Sequence, residues 1–460
     1  MRASLLLLIV SILVLTPGSL NAQSTLVFTR IMSGTDLPVT GYAVTNPSPG
    51  TANVVFTLYA ATGATVATTS VNIVAGGQMA KLGSELFPGA SGGWVKATSS
   101  TSNLRGFWLG GDFSTVEDGG EAVSGGESEF ILPIISANSE INIVNTSTSS
   151  GGALIRLLGR EGEEINDPEI RFLPASGSFK SRSDLVFAPA DLSRATHAKV
   201  SCMVPCSGSI LVTDFVVSPS LVVANGVSTG SAATRLDFPH VVDGMLGNLN
   251  YSTVLSITNL TALAQTLVIT FTPEGGFGAV SAQRDLAANG TMRESPNSLF
   301  GVSGVRNGSI RVTSEEPITG VVIYSEQVNR GAAVTPGLSR PGTGLLLAHI
   351  AELSPWLTGV ALLNPQSTDA TVEVFAITPA GTLIGRSVPI VIAPGDKIAR
   401  LLNEWIPETQ RRTSDGGFVF IRSNVPIYGI ELFFRRDLRV LSNVPAFVLG
   451  PNEIFTPPPQ

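Results

Sequence analysis

Two cysteines, Cys202 and Cys206, and three histidines, His197, His240 and His349, are all that the 460 residues offer for thiol, imidazole or soft-metal chemistry. The cysteines stand four apart in Ser201-Cys202-Met203-Val204-Pro205-Cys206, with no histidine or third cysteine close by in sequence. In an oxidising compartment that spacing predicts a disulfide across a turn, where the loop is too short for much chain-entropy gain. His240 and His349 occupy matching places in two copies of a repeat described below, whereas Arg30 and Ile134 fill that place in the other two. A serine triad needs a histidine beside an activated serine and a carboxylate, and no nucleophile-elbow motif is present. No catalytic residue and no metal site is therefore expected.

Carboxylates cluster at Glu117-Asp118, Glu127 and Glu129, and again at Glu161, Glu163, Glu164 and Asp167. Oxygen ligands on flexible backbone suit calcium, but no EF-hand spacing occurs, and the plainer expectation is a solvated acidic loop with no cofactor. Phe107-Trp108 and Phe433-Phe434 are adjacent aromatics on strands, so one of each pair must leave the core face. Those four residues are the candidates for stacking on a glycan, a protein partner or a neighbouring module.

The elements that carry these residues repeat. Asn46, Asn145, Asn259 and Asn364 each end an apolar strand, at separations of 99, 114 and 105 residues. Gly106, Gly208, Gly320 and Gly429 each open another apolar strand, 60, 63, 61 and 65 residues beyond their asparagine. Two markers in phase over four copies define a tandem repeat of roughly a hundred residues. The asparagines are expected to close turns through their side chains, and the glycines to mark a bulge or close backbone approach.

Period-two alternation with turn signals every 8–12 residues predicts an all-β chain of four antiparallel β-sandwich, immunoglobulin-like modules. The expected boundaries are 23–120, 129–220, 235–332 and 344–452, with a flexible tail at 453–460. The loose stretches Thr115 to Ser128, Pro219 to Thr234 and Gly331 to Gly344 read as linkers, which predicts an elongated array.

Residues 1–22 have a positive start, an apolar run from Leu5 to Leu15 and small residues before Gln23, which reads as a signal peptide cleaved after Ala22. No later segment is long and apolar enough for a membrane helix, so no membrane span is expected after cleavage. Charged residues make up 14% and the net charge is −7 without a basic stripe, which argues against nucleic acid. An outer-membrane barrel would fit the signal and the strands, but the phased modules, five tyrosines and the Pro-Gln tail oppose it.

The chain resembles tandem modules of exported bacterial proteins of unassigned function. The resemblance rests on Asn46-Pro47 with Glu85-Leu86-Phe87-Pro88, and on Asn364-Pro365 with Ala393-Pro394-Gly395 and Val425-Pro426-Ile427-Tyr428-Gly429. Copy three keeps Pro317-Ile318-Thr319-Gly320, and copy two departs most. The resemblance implies a fold and export, and brings no catalytic residues. The expected function is a non-catalytic secreted or cell-surface protein for adhesion, scaffolding or protein and glycan interaction. A carbohydrate-binding or polysaccharide-hydrolysing protein with one specialised module is the alternative.

Overall fold

The computed structural model describes residues 23–112, 117–213, 221–246, 248–276, 278–301, 306–412, 416–450, 453 and 455–458. The proposed signal peptide, 1–22, lies outside them. The chain is all-β with antiparallel pairing in every sheet, and among the described residues no helix exceeds five residues. None of these helices is long and apolar enough to cross a membrane, which says nothing about crossing with strands.

One pairing scheme recurs in each copy. In copy one, Ser24–Met32, Gly93–Ser99, Ala52–Tyr59 and Thr65–Ile73 form one sheet in that order. Gln78–Leu82, Gly41–Thr45, Arg105–Gly111 and Glu117–Glu121 form the second. Copies two, three and four pair in the same order, with a short strand added at the edge of the first sheet in copies two and four, Val227–Ser228 and Phe447–Val448. A single long strand (His197–Val212, Arg306–Glu326 or Phe418–Arg435) serves both sheets where copy one uses two. Alternation gives each sheet an apolar inner face, and these faces close on shared cores around Phe28 and Val54, Ile155, Ile269 and Val372.

The marker residues fall in one register throughout. Val44 pairs with Gly106, Ile143 with Gly208, Ile257 with Gly320 and Leu362 with Gly429. A Cβ on Gly320 would lie 2.4 Å from Ile257 Cδ1, and one on Gly208 2.7 Å from a Phe130 ring carbon. These glycines are therefore close-approach sites. Each repeat asparagine sends its Nδ2 to the carbonyl four residues on (Gly50, Ser149, Leu263, Thr368) and to a carbonyl about 28 residues on (Ile73, Leu173, Ala287, Ile392). Its Oδ1 accepts from the amide two residues on. One side chain thus holds two turns together in every copy.

The expected elongated array is not what forms. The hairpin turn between the third and fourth strands of each copy docks on the turn that opens the fifth strand of the next. Ser178 donates its amide to Ala61 O, Thr291 to Arg160 O, and Gln78 to Pro379 O. At the remaining junction the Gly275 amide reaches Asp396 Oδ1 at 2.9 Å. The Gln78 contact joins copy four to copy one, so the same heterologous contact closes a ring.

The stretches expected as linkers contain the strands Glu117–Glu121, Val222–Asn225 and Ala332–Pro336. With Leu441–Pro445 they form a circuit at the centre, each lying against the next. Small residues such as Gly119, Gly120, Ala224 and Ala333 let four backbones converge there, which is why the composition imitated a linker. The tail also differs from expectation. Phe455 is buried against the Phe418 and Phe420 rings, and Glu453 ion-pairs with Arg105 at 3.0 Å.

Candidate functional site

The second sheet of each copy is buried on both faces, and that brings the chemistry-bearing side chains together. Its inner face fills its own core, while its outer face packs on the preceding copy. Leu211 and Val223 join the core of copy one, Val321 and Val334 that of copy two, and Leu441 that of copy three. Phe107 and Leu109 join residues of copy four.

The four candidate aromatics are accounted for by this arrangement. Trp108 is buried in the core of copy one beneath the Arg30 guanidinium. Phe107 and Phe433 flank His349 in the junction between copies four and one, and half-buried Phe434 packs on the core of copy three. They are junction and core residues, not an exposed stacking platform, because alternate positions on these strands face two different interiors.

The histidines sit at the same kind of boundary. His197 Nδ1 lies 2.9 Å from Thr291 Oγ1 of copy three. Trp94, at the matching place in copy one, donates Nε1 to Ser176 O of copy two at 3.0 Å. Burial lowers His197 to about 3, with Arg293 and Lys199 adding to the effect. Burial, then Arg412, lowers His349 to about 4.

Several polar groups that composition and spacing did not flag are more informative. The first residue of the fifth strand is Gln78, Ser178, Thr291 or Lys397, and in each copy it faces the preceding one. Gln78 bridges Ala348 O and the Gly417 amide, both at 2.8 Å. Lys397 Nζ donates to Asn307 Oδ1 at 2.7 Å, lies 3.0 Å from His240 Nδ1 and 3.6 Å from Glu274 Oε2. Burial lowers the Lys397 ammonium to about 8 while Glu274 pulls the other way. His240, buried beside that ammonium, is held well below its ordinary value. The recurrence of a polar residue at one strand position in four copies was the available signal.

At the centre, Asp118 is fully buried and accepts from Ser442 Oγ at 2.6 Å and the Val223 amide at 2.7 Å, which ties copy one to copies four and two. Burial pushes Asp118 up to about 8 against those hydrogen bonds. Glu117 beside it rises to about 8 from burial and from the Asp118 and Asp112 charges. Glu431 stands where the other copies place Trp108, Ile210 and Val322. It is completely buried, and among the described residues neither of its carboxylate oxygens has a hydrogen-bond partner. Burial, then the Glu352 charge, raises it well above its ordinary value, which favours the neutral acid.

Cys202 and Cys206 form a disulfide where the long strand of copy two crosses between sheets. Of the acidic loops, Glu164 pairs with Arg156 and Glu129 with Lys199. Among the described residues no three His, Cys, Asp or Glu side chains converge as metal ligands. A cavity of about 520 Å³ is lined by residues of all four copies, among them Arg105, Glu121, Phe130, Asn225, Val334 and Phe447.

These features define an all-β protein whose perturbed acids and bases lie at the boundaries between repeated units. No family model and no curated protein matches the chain. A weak structural similarity links it to a tetra-tandem repeat in the extending region of a large adhesion protein: 12% identity, 93% of this chain, 99% of that one, TM-score 0.11. The crystal structure of Thermotoga maritima 1070 is 20% identical over 24% of this chain and 95% of its own, with a TM-score of 0.21. Similarity at this level bears on neither arrangement nor function.

Proposed function

We propose that this is an exported, non-catalytic protein of four immunoglobulin-like β-sandwich modules, serving in adhesion or scaffolding at the cell surface. The observation that carries this reading is where the perturbed groups act. Asp118, His197 and Lys397 each hydrogen-bond across a boundary between copies, so burial and bonding there serve assembly. A closed ring consumes the docking surfaces of its own repeats and leaves its rims for a protein or glycan partner. Export is tested by fractionating the culture and sequencing the mature N-terminus, expected at Gln23. Binding is tested by pull-down from the native culture surface. Release of reducing sugar from a polysaccharide by the purified protein would overturn the non-catalytic reading.

The second reading, carbohydrate binding by a specialised site, is favoured by the cavity that the four copies share, whose lining includes Phe130, Phe447, Arg105, Glu121 and Asn225. A glycan array with wild type and Glu121→Gln separates the two. Specific retention lost in the variant supports a sugar site, and no retention leaves adhesion through protein contacts.

A further inference from the structure

Copy two differs from its siblings at one outer corner, and the repeat supplies its own controls. Its edge strand, Glu169–Leu173, pairs on one side only among the described residues. On the outward face Ile170 is 66% exposed and Phe172 is 71% exposed, and Met203, held by the disulfide-bridged crossover, is 78% exposed. The pairing registers place Ser70 and Asn72 at the first two positions in copy one, and Gln283 and Asp285 in copy three. There the edge is covered by polar pairs, Asn53 to Asn72 at 2.9 Å and Thr266 to Asp285 at 2.8 Å. In copy two Gly152 stands opposite Phe172 and covers nothing. Copy four has Val391, 64% exposed, at the second position and Pro389 in place of Ile170 at the first. Met203 replaces Ser100, Glu315 and Asn424. Among the described residues copy two is the copy that displays an isoleucine and a phenylalanine at alternate positions of this edge strand together with Met203, a combination that soluble sheets ordinarily avoid.

The charges on that strand identify the occupant. Glu169 and Arg171 share the opposite face, where they pair at 3.0 Å, and Arg171 lies over the Phe179 ring at 5.2 Å. When the strand meets a second copy of itself antiparallel about Ile170, Glu169 falls opposite Arg171 of the other molecule, and Arg171 opposite its Glu169. Ile170 then meets Ile170, and Phe172 meets Pro168. Directly opposed residues share a face, so the ion pairs lie on one side and the apolar contacts on the other. The strand is thus self-complementary, as a twofold interface requires.

We propose that the edge strand of copy two is a homodimerisation site that joins two rings through a continuous sheet. The inference does not rest on the adhesion reading. The experiment is sedimentation velocity of the mature chain over a concentration series. Wild type is expected to dimerise reversibly. Replacing Ile170→Ser with Phe172→Asn, the residues of copy one, is expected to weaken association at least tenfold without lowering the melting temperature. Val391→Asn in copy four is expected to change nothing. Glu169→Arg alone should weaken the dimer, and Glu169→Arg with Arg171→Glu should restore it. A wild type that stays monomeric at every concentration, a dimer indifferent to the Ile170 and Phe172 changes, or a double charge reversal that fails to restore association would each overturn the proposal.

Discussion

Asp118 and Glu431 show how single residues set the behaviour of the assembly. The folded pKa values of Asp118 and Glu117, about 8, exceed those of the unfolded chain, so the fold holds protons that the unfolded chain releases. Their contribution is full below about pH 4 and is lost as pH rises toward 8, at roughly 1.4 kcal/mol per unit for each group. The buried histidines act oppositely, but only below about 6.5, so between pH 6.5 and 8 the acids dominate. Melting temperature is expected to fall across that window, and Asp118→Asn to flatten the fall; a flat wild-type profile by calorimetry would contradict this. Glu431→Ile, the residue type of copy two, removes a buried acid that has no hydrogen-bond partner among the described residues, and is expected to stabilise by about 1–3 kcal/mol in denaturant titration. Asn259→Ala strips the bonds to Leu263 O, Ala287 O and the Thr261 amide, and should cost about 2–3 kcal/mol. The asparagines were visible in the sequence as phased markers. Asp118 was not, because its neighbours Gly119 and Gly120 made it look like a solvated loop acid.

At the scale of the element, the docking turn does most to define the architecture. Gly162 has φ +80°, and a Cβ there would lie 1.9 Å from Ala288 O across the junction of copies two and three. Gly162→Ala is therefore expected to open that junction, seen as faster amide exchange at Thr291 and along Val321–Ile323. Gly395→Ala, at φ +71° but with nothing within 4 Å, should carry only local backbone strain of about 1 kcal/mol and leave exchange elsewhere unchanged. Strand existence and order were legible from alternation and turn signals. Docking was not, because a glycine turn has the same composition whether it meets water or a neighbour. The paired aromatics Phe107-Trp108 and Phe433-Phe434 held the missing information. A strand apolar on both faces is covered on both faces, and four such strands imply four covers.

For the whole molecule, an elongated array follows only if each unit touches its sequence neighbours alone. The bonds from Gln78 to Ala348 and Gly417, the Ser442–Asp118 bond and the Arg105–Glu453 pair instead join the two ends of the chain. Ring closure depends on rotation between units, which is set by side chains at four interfaces and leaves no periodic trace in sequence. Small-angle X-ray scattering on the mature chain tests closure most directly, recorded at low concentration so that paired rings do not contribute. A compact chain of this length has a radius of gyration of about 22 Å. The closed ring is expected to lie only slightly above that, whereas a radius roughly twice as large, as four units in a row would give, would contradict it.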